Sequence, residues 1–361
     1  TSAAGIYVDV GTQILIERNH VFRCNFGVEL ASEAASGFTD YITLRCNLLH
    51  HNQVAGLIMG GYDRLRGQTQ FCQISGNTFY QNDTLPSPSY AGQIALQFYA
   101  SHCSFRNNIV WANYATMQMW LHYPRDRLAT LVQKEIGANV TLVYNRYFCS
   151  TGGIDNLEFG VFKNGEQQYH TKLDDWKTSV SGLQSDANST SGSPGFSTAT
   201  PNAPPAAPTI PDLVAIRASI AWLSSSAAVN AGDPSVLLSS EKDLFGQSRV
   251  AGGRLDIGAD ENLTAWQGWR DLHFSLPDGG GDADAGDDSD RDGASNLLEY
   301  SQGMDPTRSD AELLPAVSRT VGGVRFTYRK VAPELSDHVR RSQSISPRGA
   351  SGLSEHSLGG N

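Results

Sequence analysis

Ile42-Thr-Leu-Arg-Cys-Asn47-Leu-Leu-His-His-Asn52, Cys72-Gln-Ile-Ser-Gly-Asn77-Thr-Phe-Tyr-Gln-Asn82 and Cys103-Ser-Phe-Arg-Asn-Asn108-Ile-Val-Trp-Ala-Asn113 are three copies of one pattern, offset by 30 and then 31 residues. Working outward, Asn19 and Asn145 extend the same column at each end. Three residues before each Asn stand Ile16, Leu44, Ile74, Phe105 and Leu142; five before stand Ile14, Ile42, Cys72, Cys103 and Val140. Two residues after come Val21, Leu49, Phe79, Val110 and Tyr147. An apolar residue at every second position is the period of a strand with one buried face. A second Asn stands further along in four copies, at Asn25, Asn52, Asn82 and Asn113. A short second strand then opens on Gly5, Gly27, Gly56 or Gly92, and at Met117 without the glycine. The spacing is too long for a leucine-rich repeat, and no unit carries the amphipathic helix of ankyrin or TPR repeats. One strand-turn-strand circuit per repeat, rising ~4.8 Å per rung, predicts an all-β single-stranded solenoid, a parallel β-helix. Aliphatic columns would fill its core and Asn amides would bond rung to rung at the corners, since Asn tolerates left-handed turns and both donates and accepts.

Composition narrows the function. The 361 residues hold 40% apolar side chains, enough for a real core, while 36 Gly and 15 Pro favour turns over helical bundles. Net charge is −10, and Asp278 to Glu299 alone accounts for −7. No basic stripe exists, so a nucleic-acid partner is not expected. No apolar run is long enough to span a membrane. Five cysteines without a CxxC pair are expected as buried free thiols. Opening at Thr1 without Met or a leader, the chain is expected to be a processed or truncated piece.

The ladder resembles the right-handed parallel β-helix proteins of the pectate-lyase-like superfamily. The segment after the ladder is similar to the ending of exported bacterial members: Lys172-Leu-Asp-Asp-Trp176 and Ser193-Pro-Gly-Phe196, then Ser226-Ala-Ala-Val-Asn-Ala-Gly-Asp233, Asp243-Leu-Phe-Gly246, Arg249 and Asp256-Ile-Gly-Ala-Asp-Glu261. The resemblance covers residues 5–262 and implies closing coils, export or a cell-surface location, and business with an extracellular polysaccharide or surface glycan. The chain is expected to be a monomer. Residues 199–211 read as a surface excursion, and Trp266, Trp269 and Phe274 as a cap on the open end of the stack.

Three divisions are expected: the β-helix with closing coils (1–275), an acidic calcium-binding linker (276–310), and a truncated β segment with a disordered tail (311–361). In the linker, Asp288-Ser-Asp290-Arg-Asp292-Gly293-Ala294-Ser-Asn296-Leu-Leu-Glu299 fits the D-x-D-x-D-G-x5-E calcium loop. Calcium takes six to eight hard oxygens. Asp288, Asp290, Asp292, the Ala294 carbonyl, Asn296 and a bidentate Glu299 would supply them, with Asn296 to Tyr300 in an exiting helix. The stretch resembles dockerin-like or thrombospondin type-3-like calcium repeats, Gly303-Met-Asp-Pro306 included.

Chemistry on such a scaffold belongs to outward strand positions and the loops beyond the second strands. Two enzyme readings are open. A polysaccharide lyase needs a base and a cation for the uronate carboxylate; Arg64, Arg66, His122 and Arg125 are candidates, with Asp63 beside them. A glycoside hydrolase needs two carboxyl groups, for which Glu29, Asp63 and Asp126 are available. Glu29, Tyr62, Tyr99 and Tyr123 are candidate substrate contacts. Neither a lyase signature nor a clustered Asp pair is present, so a non-catalytic glycan-binding or adhesion module is the alternative. His50-His51 sits in a turn with no nearby carboxylate or Cys partner at metal-ligand spacing.

Overall fold

The computed structural model describes residues 3–63, 66–85, 92–112, 119–122, 139–151, 153–163, 166–180, 186–197, 205–221, 223, 225–236, 241–320 and 323–327. The chain divides into two compact units, Thr1–Gly279 and Gly280–Asn361. In the first, successive circuits of chain lie over one another as the spacing requires. Ala4–Asp9, Phe26–Ser32, Ala55–Gly61, Gly92–Gln97, Met119–His122 and Phe159–Lys163 pair in that order in a parallel sheet. Leu15–Glu17, Thr43–Arg45, Gln73–Ser75, Ser104–Arg106 and Thr141–Val143 form a second. His20–Phe22, Leu48–His50, Thr78–Tyr80, Ile109–Ala112, Arg146–Cys149 and Thr190–Ser191 form a third. A short fourth sheet joins Phe38–Asp40, Gln68–Gln70 and Ala100–Ser101. The unit is an all-β parallel β-helix.

The predicted columns stack residue on residue. Ile16, Leu44, Ile74, Phe105 and Leu142 are direct partners, as are Val21, Leu49, Phe79, Val110 and Tyr147. All ten are buried in one continuous core. Cys72 and Cys103 sit in that core as thiols donating to the carbonyls of Gln70 and Ser101, and all five cysteines are free.

The asparagines form a hydrogen-bonded file. Asn47 Oδ1 accepts from both the backbone N–H and the side-chain amide of Asn19, each at 2.9 Å. Asn77, Asn108 and Asn145 repeat this on Asn47, Asn77 and Asn108 at 2.9–3.1 Å. Each amide also donates down a rung, Asn77 Nδ2 to Leu44 O at 2.8 Å and Asn108 Nδ2 to Ile74 O at 2.9 Å. The left-handed corner is taken by the residue before each Asn: Arg18, Cys46, Gly76, Asn107 and Tyr144, with φ between 52° and 60°. Asparagine was expected for its tolerance of that conformation; its actual task is to fill the hydrogen-bonding capacity inside the bend.

A second amide column holds Asn52 and Asn82 as expected, with Cys24 in place of Asn25 on the rung before. Asn52 Oδ1 accepts from the backbone of Cys24, and Asn82 Oδ1 from the backbone and amide of Asn52. The next acceptor is Gln93 Oε1, which takes the N–H and amide of Asn82 at 3.0 Å; Asn113 lies outside the described residues. The substitution has a packing reason. Gly5, Gly27, Gly56 and Gln93 share one position across the first sheet. A Cβ at Gly56 would stand 2.7 Å from the Asn82 amide. On the next rung the Gln93 side chain occupies that space and supplies the amide itself.

The expected closing coils begin with one further rung, Thr190–Ser191 on Arg146–Cys149, and are preceded by a helix. Helix Leu173–Val180 buries Leu173, Trp176 and Val180, and Trp176 stacks on Phe159 with centroids 4.8 Å apart. Trp176 Nε1 and Tyr147 Oη both donate to buried Asp186. Trp176 therefore closes the core beyond Phe159. Trp266 and Trp269 stack on each other at 5.1 Å within helix Ala265–Phe274, and neighbouring Leu272 is 78% exposed.

After Thr190–Ser191 the chain turns back along the outside of the stack. Helix Ile210–Ile220 begins with Pro211 and a Thr209–Asp212 hydrogen-bond pair, a start signal the Pro/Ala-rich reading passed over. Its Ile216 and Ile220 pack with Phe196, Ala228 and Ile257 against Leu48, Tyr80, Ile109 and Trp111 of the third sheet. Residues 228–236 and 241–259 then strap the Asn corner. Asp233 N donates to Asn107 Oδ1, Gly258 N to Asn107 O, Ala259 N to Thr78 Oγ1, and Arg45 pairs with Glu241. Buried Arg249 bonds Glu261 and the carbonyls of Asp256, Gly258 and Asp260; a Cβ at Gly76 would lie 2.7 Å from its guanidinium. The Asp256-to-Glu261 motif is thus the knot of a strap spanning several rungs.

In the second unit, turns lead into helix Asn296–Gln302, ended by left-handed Gly303, and then a hairpin of Ala316–Thr320 with Gly323–Thr327. The expected disordered tail, residues 331–361, lies outside the described residues.

Replacing the fully buried Asn77 by Ala leaves the N–H of Asn47, the Leu44 carbonyl and the Asn108 amide oxygen short of a partner. At about 1–3 kcal/mol per orphaned buried group, Asn77→Ala is expected to lower unfolding free energy by about 3 kcal/mol or more, measured by denaturant titration. A loss below about 1 kcal/mol would contradict the ladder's role.

Candidate functional site

Glu29 is the central charged residue on the outer side of the first sheet. In Phe26–Ser32 its neighbours Val28 and Leu30 are fully buried inward, so alternation turns Glu29 out. Tyr7 stands beside it on the preceding rung. Tyr7 Oη donates to Glu33 Oε1 at 3.1 Å, and Asp9 Oδ1 accepts from Glu33 N at 3.0 Å. Burial raises the Glu29 carboxyl above its ordinary range, and the carboxylates of Glu33 and Asp9 raise it further. Burial, with Asp9 and Glu33, also raises the Tyr7 phenol. The next two outward positions, Ile58 and Ala95, are 3% and 0% exposed, so the face is open at Tyr7 and Glu29 and covered beyond.

Of the other candidates, Tyr62, Asp63 and Arg66 come together. Asp63 accepts from the backbone and guanidinium of Arg66 at 2.8–2.9 Å, and that guanidinium lies 4.0 Å from the centroid of the Tyr62 ring. Tyr62 is 52% exposed. Tyr99 is buried at a left-handed position and offers a sugar little surface. Arg64, Tyr123, Arg125 and Asp126 lie outside the described residues, and of His122 only the backbone, in strand Met119–His122, is described. Sequence reasoning missed a ring stack at a second corner. Tyr41 and Phe71, both exposed, lie 5.2 Å apart at 13°; Phe71 and His102 are 4.8 Å apart; and His102 Nε2 meets the Asn139 amide. Its signal was available, since all four immediately precede the column Ile42, Cys72, Cys103 and Val140.

His50 and His51 belong to a third stack. His20, one rung below, faces His50 with centroids 4.7 Å apart, and His50 Nδ1 meets His51 Nδ1 at 2.8 Å. Phe22 and Tyr80 flank them. Burial lowers His20 to about 4, and burial with Arg23 lowers His51 to about 4; burial, His20 and His51 lower His50 well below its usual range. A lowered histidine is protonated more readily once unfolded, so its stabilisation is whole above about pH 6.5 and is lost as pH falls towards 4. The denaturant midpoint is expected to drop between pH 7 and 4.5, and His50→Phe to shrink that drop; an equal drop in the variant would contradict the assignment.

The second unit holds an acidic cluster. Carboxylate oxygens of Asp288, Asp290 and Asp292 lie within 4.8 Å of one another, as do those of Asp292, Glu299 and Asp310. Glu299 is fully buried, and neither of its oxygens has a hydrogen-bond partner; Asp290 Oδ2 and Asp310 Oδ1 are likewise unpartnered. Burial and the carboxylates of Asp290, Asp292, Asp310 and Asp288 push Glu299 up to about 7. Gly293 turns at φ 97°, and Ala294 N donates to Asp292 Oδ1. Buried oxygens with no donor, drawn together against their own repulsion, suit a hard divalent cation. Asn296, expected as a ligand, gives its amide N–H groups to the carbonyls of Asp282 and Asp284, while its Oδ1 accepts from the Ser289 hydroxyl. It pins the entry to the loop.

Comparison with known proteins agrees with the fold. Residues 4–162 match the family model described as right handed beta helix region. The chain is similar to the uncharacterized protein YwoF of Bacillus subtilis (strain 168), 37% identical over 111 residues, which cover 31% of this chain and 23% of that protein. No solved structure matches significantly. Among the described residues no helix is long and apolar enough to cross a membrane. The stacked sheets and the family model together identify the region 4–162 as a right-handed parallel β-helix.

Proposed function

We propose that the β-helix unit acts on an extracellular polysaccharide as a glycoside hydrolase, that the protein is exported, and that the acidic unit holds a structural calcium ion. The observation that supports hydrolysis is Glu29, an outward carboxyl raised by burial beside Asp9 and Glu33, with the Tyr7 ring next to it. A raised carboxyl is suited to donate a proton to a glycosidic oxygen, and Asp9 or Glu33 supplies the second carboxyl that such chemistry needs. The lyase reading draws less support, because Arg66 is already engaged by Asp63 and Tyr62. The alternative, a glycan-binding or adhesion module, is favoured by exposed Tyr41 and Phe71, stacked in line with His102, since aromatic rings pair with apolar sugar faces as readily as with one another. Calcium would be held by Asp288, Asp290, Asp292, the Ala294 carbonyl and Glu299, and would supply the charge those carboxylates lack.

The test is a panel of neutral and acidic polysaccharides incubated with the full chain. Hydrolysis releases reducing ends without new ultraviolet absorbance, and Glu29→Gln is expected to lower that release by about 100-fold or more. New absorbance would instead report a lyase. Retarded migration in a polysaccharide gel without products, lost in Tyr41→Ala/Phe71→Ala, would report a binding module.

A further inference from the structure

We propose that the cation site has two segments: the loop from Asp288 to Glu299 and, beyond it, Asp310, which serves as a direct ligand and ties the turn after helix Asn296–Gln302 onto that helix. The inference rests on the calcium reading above and adds a ligand outside the twelve-residue motif. Asp310 is 4% exposed, and one of its carboxylate oxygens lies within 4.8 Å of a carboxylate oxygen each of Asp292 and Glu299. Two carboxylates that could have turned to water are held inside instead. Glu299 is fully buried with both oxygens unpartnered, and Asp310 Oδ1 is likewise buried without a donor. Leaving three such oxygens dry and unpaired is costly unless a cation answers them.

The backbone aims Asp310 at this point. Asp310 N donates to Asp292 Oδ2 at 3.1 Å, joining the far end of the turn to the loop. Asp310 Oδ2 accepts from Asp305 N, which orients the carboxyl and leaves Oδ1 for the ion. Met304 N donates to Glu299 O, so the segment between is folded back on the residue that supplies the bidentate pair. The Asn296 side chain is committed to the entering turn. Asp310 therefore supplies the oxygen that the motif alone assigns to position 9, and supplies it as a charge. A four-carboxylate loop with Asp310 added is an oxygen set for calcium; magnesium prefers octahedral geometry and keeps several waters.

The experiment is calorimetric titration of calcium chloride into the chelator-treated full chain, with Asp310→Asn, Glu299→Gln and Glu312→Gln compared with the unaltered protein. Asn keeps the acceptor for Asp305 N but not the charge. Glu312, exposed on the following turn, controls for general loss of negative charge. Asp310→Asn is expected to weaken binding at least tenfold, Glu299→Gln to abolish it, and Glu312→Gln to change it less than twofold. Hydrogen exchange on the unaltered chain gives a second readout that survives a misfolded variant: calcium should protect amides across 303–310 together with those of 288–299. Binding left unchanged in Asp310→Asn, or protection confined to 288–299, would overturn the two-segment site while calcium binding itself stood. No binding by the unaltered chain would remove the calcium reading as well.

Discussion

The amide-to-amide hydrogen bond between asparagines on successive rungs is the interaction on which the rest of the β-helix depends. A solenoid turns sharply several times per circuit, and each turn leaves backbone groups pointing inward where water cannot reach. An asparagine there accepts from one rung and donates to the next, so it satisfies the bend and fixes the vertical register together. Once Asn47, Asn77, Asn108 and Asn145 are in file, Leu44, Ile74, Phe105 and Leu142 cannot avoid stacking, because side-chain direction in a strand has a period of two. Slippage by one residue would send each apolar column to the outside.

The same logic explains what wraps the stack. The Asn corner bends through left-handed residues whose side chains point away from the core, and the chain after Thr190 uses them as a landing site. Asn107 and Gly76, and Arg45 just before left-handed Cys46, receive Asp233, Arg249 and Glu241 on successive rungs. Arg249 with Glu261 is a buried ion pair, and the desolvation of two charges offsets much of their attraction. Here it fixes the path of a segment with little regular structure of its own.

The rung architecture and the core were legible because repetition multiplies a weak signal. One alternating stretch is ambiguous, but five in register are not. The strap was not legible, since its partners lie far away in sequence and none of its contacts recurs. Gln93 was missed because it fills an asparagine's role from a glycine position, a substitution of geometry that residue identity hides. The Tyr7–Glu29–Glu33 arrangement depends on which outward positions stay uncovered, and Ile58 and Ala95 look no different from Glu29 in alternation alone. The acidic loop showed the reverse: its motif was plain, yet it could not reveal that Asn296 turns away and Asp310 turns in.

The most direct measurement of the central claim is a double-mutant cycle between Asn77 and Asn108, each replaced by Ala, with unfolding free energies from denaturant titration. Neighbours in one hydrogen-bond file share part of what each loses, so the account predicts a coupling of about 0.5–3 kcal/mol. The same cycle between Asn77 and a buried residue several rungs away should give a value near zero. Strict additivity for Asn77 and Asn108 would contradict the account, because each asparagine would then serve its own turn and the file would hold nothing together.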